Sequence, residues 1–222
     1  MLLNKLSDIN LLMSYTLECG VLVPLRVAGG RLETMMGRRN FFNPYNGRPM
    51  SFPGEWAFFG GGKKPEIDRD LRDTAVRELR EELGYTNDLV GLFQLRGPVE
   101  QSFGIHYIMD FYASWFGSDV HVPLRGDGEV LVNGWMRPSA WSALSTSRSF
   151  DRQQSEDFAR RELVDASGNP LERQMPTQQI LTLDYLAQHE PELIARYNAL
   201  EEKPASRIIS PLFRAPGFHV RP

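Results

Sequence analysis

The chain has 222 residues, a formal net charge of −3, one cysteine and four histidines. That length supports one sizeable domain with its own core, and the lone Cys19 excludes an internal disulfide while His106, His121, His189 and His219 lack zinc-ligand spacing. Slight acidity argues against holding nucleic acid mainly by phosphate neutralisation; no apolar run approaches membrane-spanning length and MLLNKLSDINLLMS lacks an unbroken apolar stretch with a small-residue cleavage site, so neither secretion nor membrane insertion is expected and a cytoplasmic chain is.

In chain order, VLVPLRVA at 21–28 and RLETMMGRR at 31–39 are β-prone runs joined by Gly29-Gly30, which predicts a tight hairpin. Residues 40–54, NFFNPYNGRPMSFPG, mix Pro and Gly with aromatics and are expected as an irregular loop, of a length that is often functional. EWAFF at 55–59 is a short apolar strand running into Gly60-Gly61-Gly62. From Asp70 to Leu83, the four-residue spacing of Leu71, Ala75, Leu79 and Leu83 predicts a helix with one inward face, stopped by Gly84.

Further strands are expected at 89–97, 106–116 and 129–136, and a short helix at 139–145. The polar stretch 146–172 reads as an insertion. Residues 177–202 have helical periodicity broken at Pro191, so one or two amphipathic helices are expected, followed by a Pro-rich surface tail over 203–222. With no internal repeat, the whole of 1–222 is expected to be one domain, its C-terminal helices and tail (177–222) packed on it.

The chemistry concentrates on the helix at 70–83. Glu78, Glu81 and Glu82 stand three and four residues apart, so their carboxylates share one sector. Like charges at that spacing repel, and acids in the last turns oppose the negative end of the helix dipole, each at a cost of a few tenths to about 1 kcal/mol. A divalent cation would offset that cost. The plain alternative is a solvated Glu-rich helix with Arg77 and Glu81 as an ordinary ion pair. Against it stands the Gly triplet just upstream, which lets backbone approach a ligand or metal closely.

GGGKKPEIDRDLRDTAVRELREELGY, residues 60–85, resembles the Nudix box, whose core is Arg-Glu, an aliphatic residue, any residue, Glu-Glu, any residue and Gly. Arg77, Glu78, Leu79, Glu81, Glu82 and Gly84 fit it, with Tyr85 following. At roughly 6% for each charged type and 7% for Gly, the five fixed letters arise by chance in about two of ten thousand such chains, so the match is specific. The upstream acid, Asp68, is spaced as in coenzyme A diphosphatase-like members, although FFGGGK stands where those show FPGGK.

The resemblance implies an α/β/α sandwich with a mixed sheet, here carrying a C-terminal helical extension. It implies Mg²⁺ or Mn²⁺ held by Glu78, Glu81 and Glu82 with the backbone at Gly62, and hydrolysis of a diphosphate bond in a nucleotide-like small molecule such as ADP-ribose, NADH or coenzyme A. Glu81, Glu82 and Glu129 are the catalytic candidates, with Glu100 a second loop acid that could serve as base. Substrate contacts are expected from Arg39, Trp56, Phe58, Gly61 and Gly62, with Phe59, Arg38 and Arg48 nearby; Arg77 and Gly84 are structural. A homodimer is compatible. The alternatives are a Nudix-derived nucleotide sensor that does not cleave, and an RNA-cap hydrolase; intact acids argue against the first and the charge balance against the second.

Overall fold

A computed structural model describes residues 16–48, 50, 54–102, 106–120, 122, 124–146 and 177–201. The polar stretch from 147 to 172 and the tail at 203–222 lie outside the described residues. The predicted hairpin forms from β1 (Thr16–Ala28) and β2 (Arg31–Arg39). Gly29 and Gly30 take φ of 56° and 73°, the paired left-handed conformation of the two-residue turn that matches strand twist and that glycine adopts without strain.

The apolar run after the long loop splits into β3 (Trp56–Ala57) and β4 (Phe59–Gly62), so the glycines expected beyond a strand are strand residues themselves. β3 pairs antiparallel with β2, and β4 pairs antiparallel with the first half of β1. β5 (Val90–Ser102) and β6 (His106–Trp115) pair antiparallel, and β6 runs parallel to β1. The last strand, β7 (Val130–Met136), closes the other edge against β2. The result is a seven-stranded mixed sheet in the order β3-β2-β1-β6-β5, with β4 on β1 and β7 on β2.

Alternation along the strands feeds two cores. Val21, Val23 and Leu25 of β1 face one side with Phe111, Ala113 and Trp115 of β6, whereas Leu22, Met35 and Phe59 face the other. The second side is covered by α1 (Leu71–Leu83) through Ala75, Leu79 and Leu83. The first is covered by α2 (Pro138–Thr146), α3 (Thr177–Gln188) and α4 (Glu190–Glu201) through Trp141, Leu183, Leu186 and Leu193. This is the expected α/β/α sandwich with a helical C-terminal extension. The C-terminal helices part at His189, one residue before α4 begins, because Pro191 is tolerated in a first helical turn and not in an interior.

Close backbone packing fixes α1 against the sheet, and local caps close its two ends. A Cβ at Gly20 would lie 2.0 Å from the Leu71 carbonyl oxygen and 2.7 Å from the Ala75 nitrogen, so the helix backbone rests directly on β1 where a side chain is missing. At its N-terminus Asp70 accepts from the Asp73 N–H at 2.9 Å, and at its C-terminus Gly84, with φ of 67°, donates to the Arg80 carbonyl.

Candidate functional site

The site is organised by one guanidinium. Arg77 donates through Nε and Nη2 to the two oxygens of Asp68, both at 2.9 Å, and through Nη2 to the Gly62 carbonyl at 3.0 Å. Its Nη1 donates to Glu78 Oε1 at 2.5 Å and to Glu81 Oε2 at 2.8 Å. The planar fork thus ties the end of β4, the connecting loop and two turns of α1 together. Burial of Asp68 opposes its charge, but the bonds from Arg77, the Lys64 N–H and the Thr74 hydroxyl prevail and hold its carboxyl at about 2. This supports the structural role expected of Arg77 and gives its anchor as Asp68.

Glu82 is treated in the opposite way. Its side chain is 2% exposed and its Oε1 has no hydrogen-bond partner. The nearest cation is Arg39, whose Nη1 lies 3.9 Å from that oxygen. Burial, only partly offset by Arg39 and reinforced by the charges of Glu78, Glu129 and Asp127, pushes the Glu82 carboxyl well above its ordinary range. Burial likewise raises Glu78.

The loop between β6 and β7 docks on the end of α1. Arg125 N–H donates to the Leu83 carbonyl at 3.2 Å and Asp127 N–H to the Glu81 carbonyl at 2.7 Å, satisfying carbonyls that a helix end leaves open. Gly84 and Gly126 permit that approach: a Cβ at Gly126 would sit 2.1 Å from the Glu82 carbonyl oxygen, and one at Gly84 2.7 Å from that of Arg125. The docked loop carries Glu129, whose Oε2 is 3.7 Å from Arg39 Nη2 and whose Oε1 accepts from Asn43 Nδ2 at 3.1 Å. Arg39 therefore stands between Glu82 and Glu129. Burial and the neighbouring Asp127 raise the Glu129 carboxyl, and burial raises Asp127 in turn.

These elements border an open cleft of about 600 Å³ lined by Tyr45, Lys64, Glu81, Arg125, Asp127 and Glu129. Lys64 Nζ lies 3.3 Å from Glu81 Oε2. Sequence reasoning had singled out Glu81 and Glu129 but not Asn43, Lys64 or Asp127. Asp127 sits in the RGDG that precedes Glu129, a turn-forming string that could have drawn attention to it; nothing local marks Asn43 or Lys64.

Several expectations are corrected. The three helix carboxylates do not meet at one point: Arg77 Nη1 draws Glu78 and Glu81 to itself while Glu82 points into the interior near Arg39, and among the described residues no three acidic, His or Cys side chains form a ready-made cation cluster. The Gly62 carbonyl accepts from Arg77. Trp56 and Phe58, expected to stack on substrate, are buried at 8% and 3% exposure in the core, Trp56 against Trp141 at 4.9 Å between ring centroids; Phe59 is buried on the other face. Arg38 is buried, its Nε donating to the Gly54 carbonyl, and Arg48 is exposed. Glu100 lies in β5 with His106 3.6 Å away and contacts none of the acids around Arg77.

A hard divalent cation fits the donors present. Glu82 Oε1 is a buried carboxyl oxygen without a hydrogen-bond donor, and Gly61 leaves a cradle for Glu78, since a Cβ there would fall 2.6 Å from its carboxylate carbon. Carboxylate and backbone oxygens are the donors such ions take.

A family model described as NUDIX domain matches residues 20–158. Among solved structures, the chain is similar to a NUDIX hydrolase from Alicyclobacillus acidocaldarius, at 15% identity over 82% of this chain and 97% of that one, with a TM-score of 0.56. It is also similar to the NUDIX domain of Shewanella oneidensis NrtR complexed with ADP ribose, at 18% identity over 66% and 87% of the two chains and a TM-score of 0.45. A C. elegans Ap4A hydrolase matches at 17% identity over 64% and 98%, also with a TM-score of 0.45. At such identities the likeness is one of fold. No curated protein matches the sequence. The matched segment runs from β1 past β7 and contains Asp68, Arg77, the three helix glutamates and Glu129; the chain belongs to the NUDIX domain family.

Proposed function

We propose that this protein is a divalent-cation-dependent pyrophosphohydrolase that cleaves the diphosphate linkage of a nucleoside diphosphate joined to a second moiety. The observation that carries this reading is the buried Glu82 oxygen without a donor, one helical turn from the Glu78 carboxylate that lies against Gly61. Burying a carboxyl oxygen without a hydrogen-bond donor costs stability, a cost that a bound cation would offset. Glu78 and Glu82 are the principal ligands for Mg²⁺ or Mn²⁺, with the backbone near Gly61 in support. When bound, such a cation neutralises diphosphate charge and polarises the phosphorus–oxygen bond that breaks.

The remaining work falls to the chain. Arg77 orients Glu78 and Glu81 from a position locked by Asp68. Glu81 and Glu129 line the cleft together, and one of them takes the proton as water attacks phosphorus and the bridging oxygen departs with the other phosphate. Lys64 and Arg125 flank the same cleft and suit a polyanionic substrate. The box sets the diphosphate chemistry and not the moiety on either side, so ADP-ribose, NADH, coenzyme A and nucleoside triphosphates are all candidate substrates.

The test incubates purified protein with ADP-ribose, NADH, coenzyme A and nucleoside triphosphates, with Mg²⁺ or Mn²⁺, in ¹⁸O-labelled water. Mass spectrometry is expected to show one diphosphate split into two phosphate-bearing products, one carrying the label. Failure to split any of them overturns the reading.

A further inference from the structure

We propose that the ring of Tyr45 is the surface on which the cleft receives the nucleobase of its substrate. This rests on the hydrolase reading for where the diphosphate lies, and adds what holds the other end. Tyr45 is 75% exposed, and its ring borders the same cleft as Lys64, Glu81, Arg125 and Glu129. The aromatic residues of the neighbouring strands cannot serve, because Trp56, Phe58 and Phe59 are committed to the two cores.

The ring is presented by a turn that is ordered in advance. Asn43 Oδ1 accepts from the N–H groups of Tyr45 and Asn46 at 3.0 and 3.3 Å. The Asn43 N–H donates to the Arg48 carbonyl, and the Gly47 N–H, with φ of 66° at that residue, donates to the Asn43 carbonyl, both at 2.8 Å. Asn43 Nδ2 then fastens the turn to Glu129 Oε1, and Asn40 Nδ2 donates to the Gly128 carbonyl at 3.0 Å. An aromatic ring held at the mouth of a polar cleft by its own backbone pays little ordering cost when a planar ligand stacks on it. Charge divides the cleft in a complementary way: cations and carboxylates suit the diphosphate and its counter-cation, and the ring offers the one broad apolar surface among the lining residues. The same Asn43–Glu129 bond couples the base-binding turn to an acid of the reaction site, so seating the base also holds Glu129.

The test uses probes that cannot be hydrolysed, so that binding is read apart from turnover. α,β-Methylene-ADP and methylenediphosphonate are titrated calorimetrically, with Mg²⁺, into wild type, Tyr45→Ala and Tyr45→Phe. Tyr45→Ala is expected to weaken α,β-methylene-ADP about tenfold, within the range of base–aromatic stacking, while methylenediphosphonate changes by less than about twofold. Tyr45→Phe, which keeps the ring, is expected to retain wild-type binding of both. Unchanged affinity of Tyr45→Ala for α,β-methylene-ADP overturns the inference, as does an equal loss for both probes or binding of neither by wild type. If the binding pattern holds but no diphosphate is cleaved in the substrate screen, the hydrolase reading fails and the base surface stands.

Discussion

Asp68, just before α1, and Glu82, in its last turn, are two buried carboxylates, 4% and 2% exposed, and the fold treats them in opposite ways. Asp68 is saturated with donors from Arg77, Thr74 and the Lys64 backbone, and its carboxyl lies at about 2. Glu82 keeps one oxygen without a donor and its carboxyl is raised well above the ordinary range. A buried charge that is fully bonded supports the structure; one left unbonded costs stability and is kept for what it binds. The loop side of the helix is thus an anchor, and the Glu82 side is where the proposed function puts the chemistry.

That contrast can be broken most directly at Arg77. Arg77→Ala leaves Asp68 buried without its main partner, so stability should fall by roughly 3 kcal/mol, measured by urea unfolding. Adding Asp68→Asn should recover a large part of the loss. If Arg77→Ala unfolds at the wild-type midpoint, Asp68 is not an anchor.

Glu82→Gln should move stability and activity apart. Turnover is expected to fall at least about a hundredfold through loss of a metal ligand. In EDTA at pH 7, Tm should rise by about 3 °C, because the variant no longer buries an acid whose charged form burial disfavours. Burial raises the folded-state pKa of Glu82, so its protonated form is favoured in the fold; the wild type is relatively stable below about pH 4 and loses that stability as pH rises. The Tm gap between variant and wild type should therefore close in acid. A gap that widens in acid, or a variant with wild-type turnover, removes Glu82 from the proposed role.

Asp68 should show the opposite sign. Its folded-state pKa is depressed to about 2, so its contribution is present above about pH 4 and lost as pH falls towards 2, on the order of 2 kcal/mol. Thermal unfolding from pH 5 to pH 2 should be steeper in pH for wild type than for Asp68→Asn. Parallel curves would contradict the assignment.

Gly61→Ala should give the smallest effect. The three atoms nearest the added Cβ all belong to the Glu78 carboxylate, the movable end of a side chain, so turnover should drop about tenfold with Tm nearly unchanged. A large loss of Tm instead would make Gly61 a packing residue.

Much of the fold could be read from local pattern. The hairpin at Gly29-Gly30, the inward face of Ala75, Leu79 and Leu83, the stop at Gly84 and the break before Pro191 each follow from backbone preference or periodicity over a few residues. The box acids could also be read, as residue types at fixed spacing. What escaped is what depends on partners far along the chain. Trp56 and Phe58 look alike in sequence whether they face a ligand or a core, and α2 and α3 covering that face of the sheet decided the question.

Which carboxylates α1 carries on one sector is legible in the chain alone, because a helix fixes the relation of positions three and four apart. Which acid is satisfied depends on assembly: Asp68 gains Arg77 within its own loop and helix, whereas the surroundings of Glu82 come from Arg39 on β2 and from Asp127 and Glu129 on the loop before β7. Those groups meet only when the sheet assembles, and desolvation, the largest influence on Glu82, depends on everything packed around it.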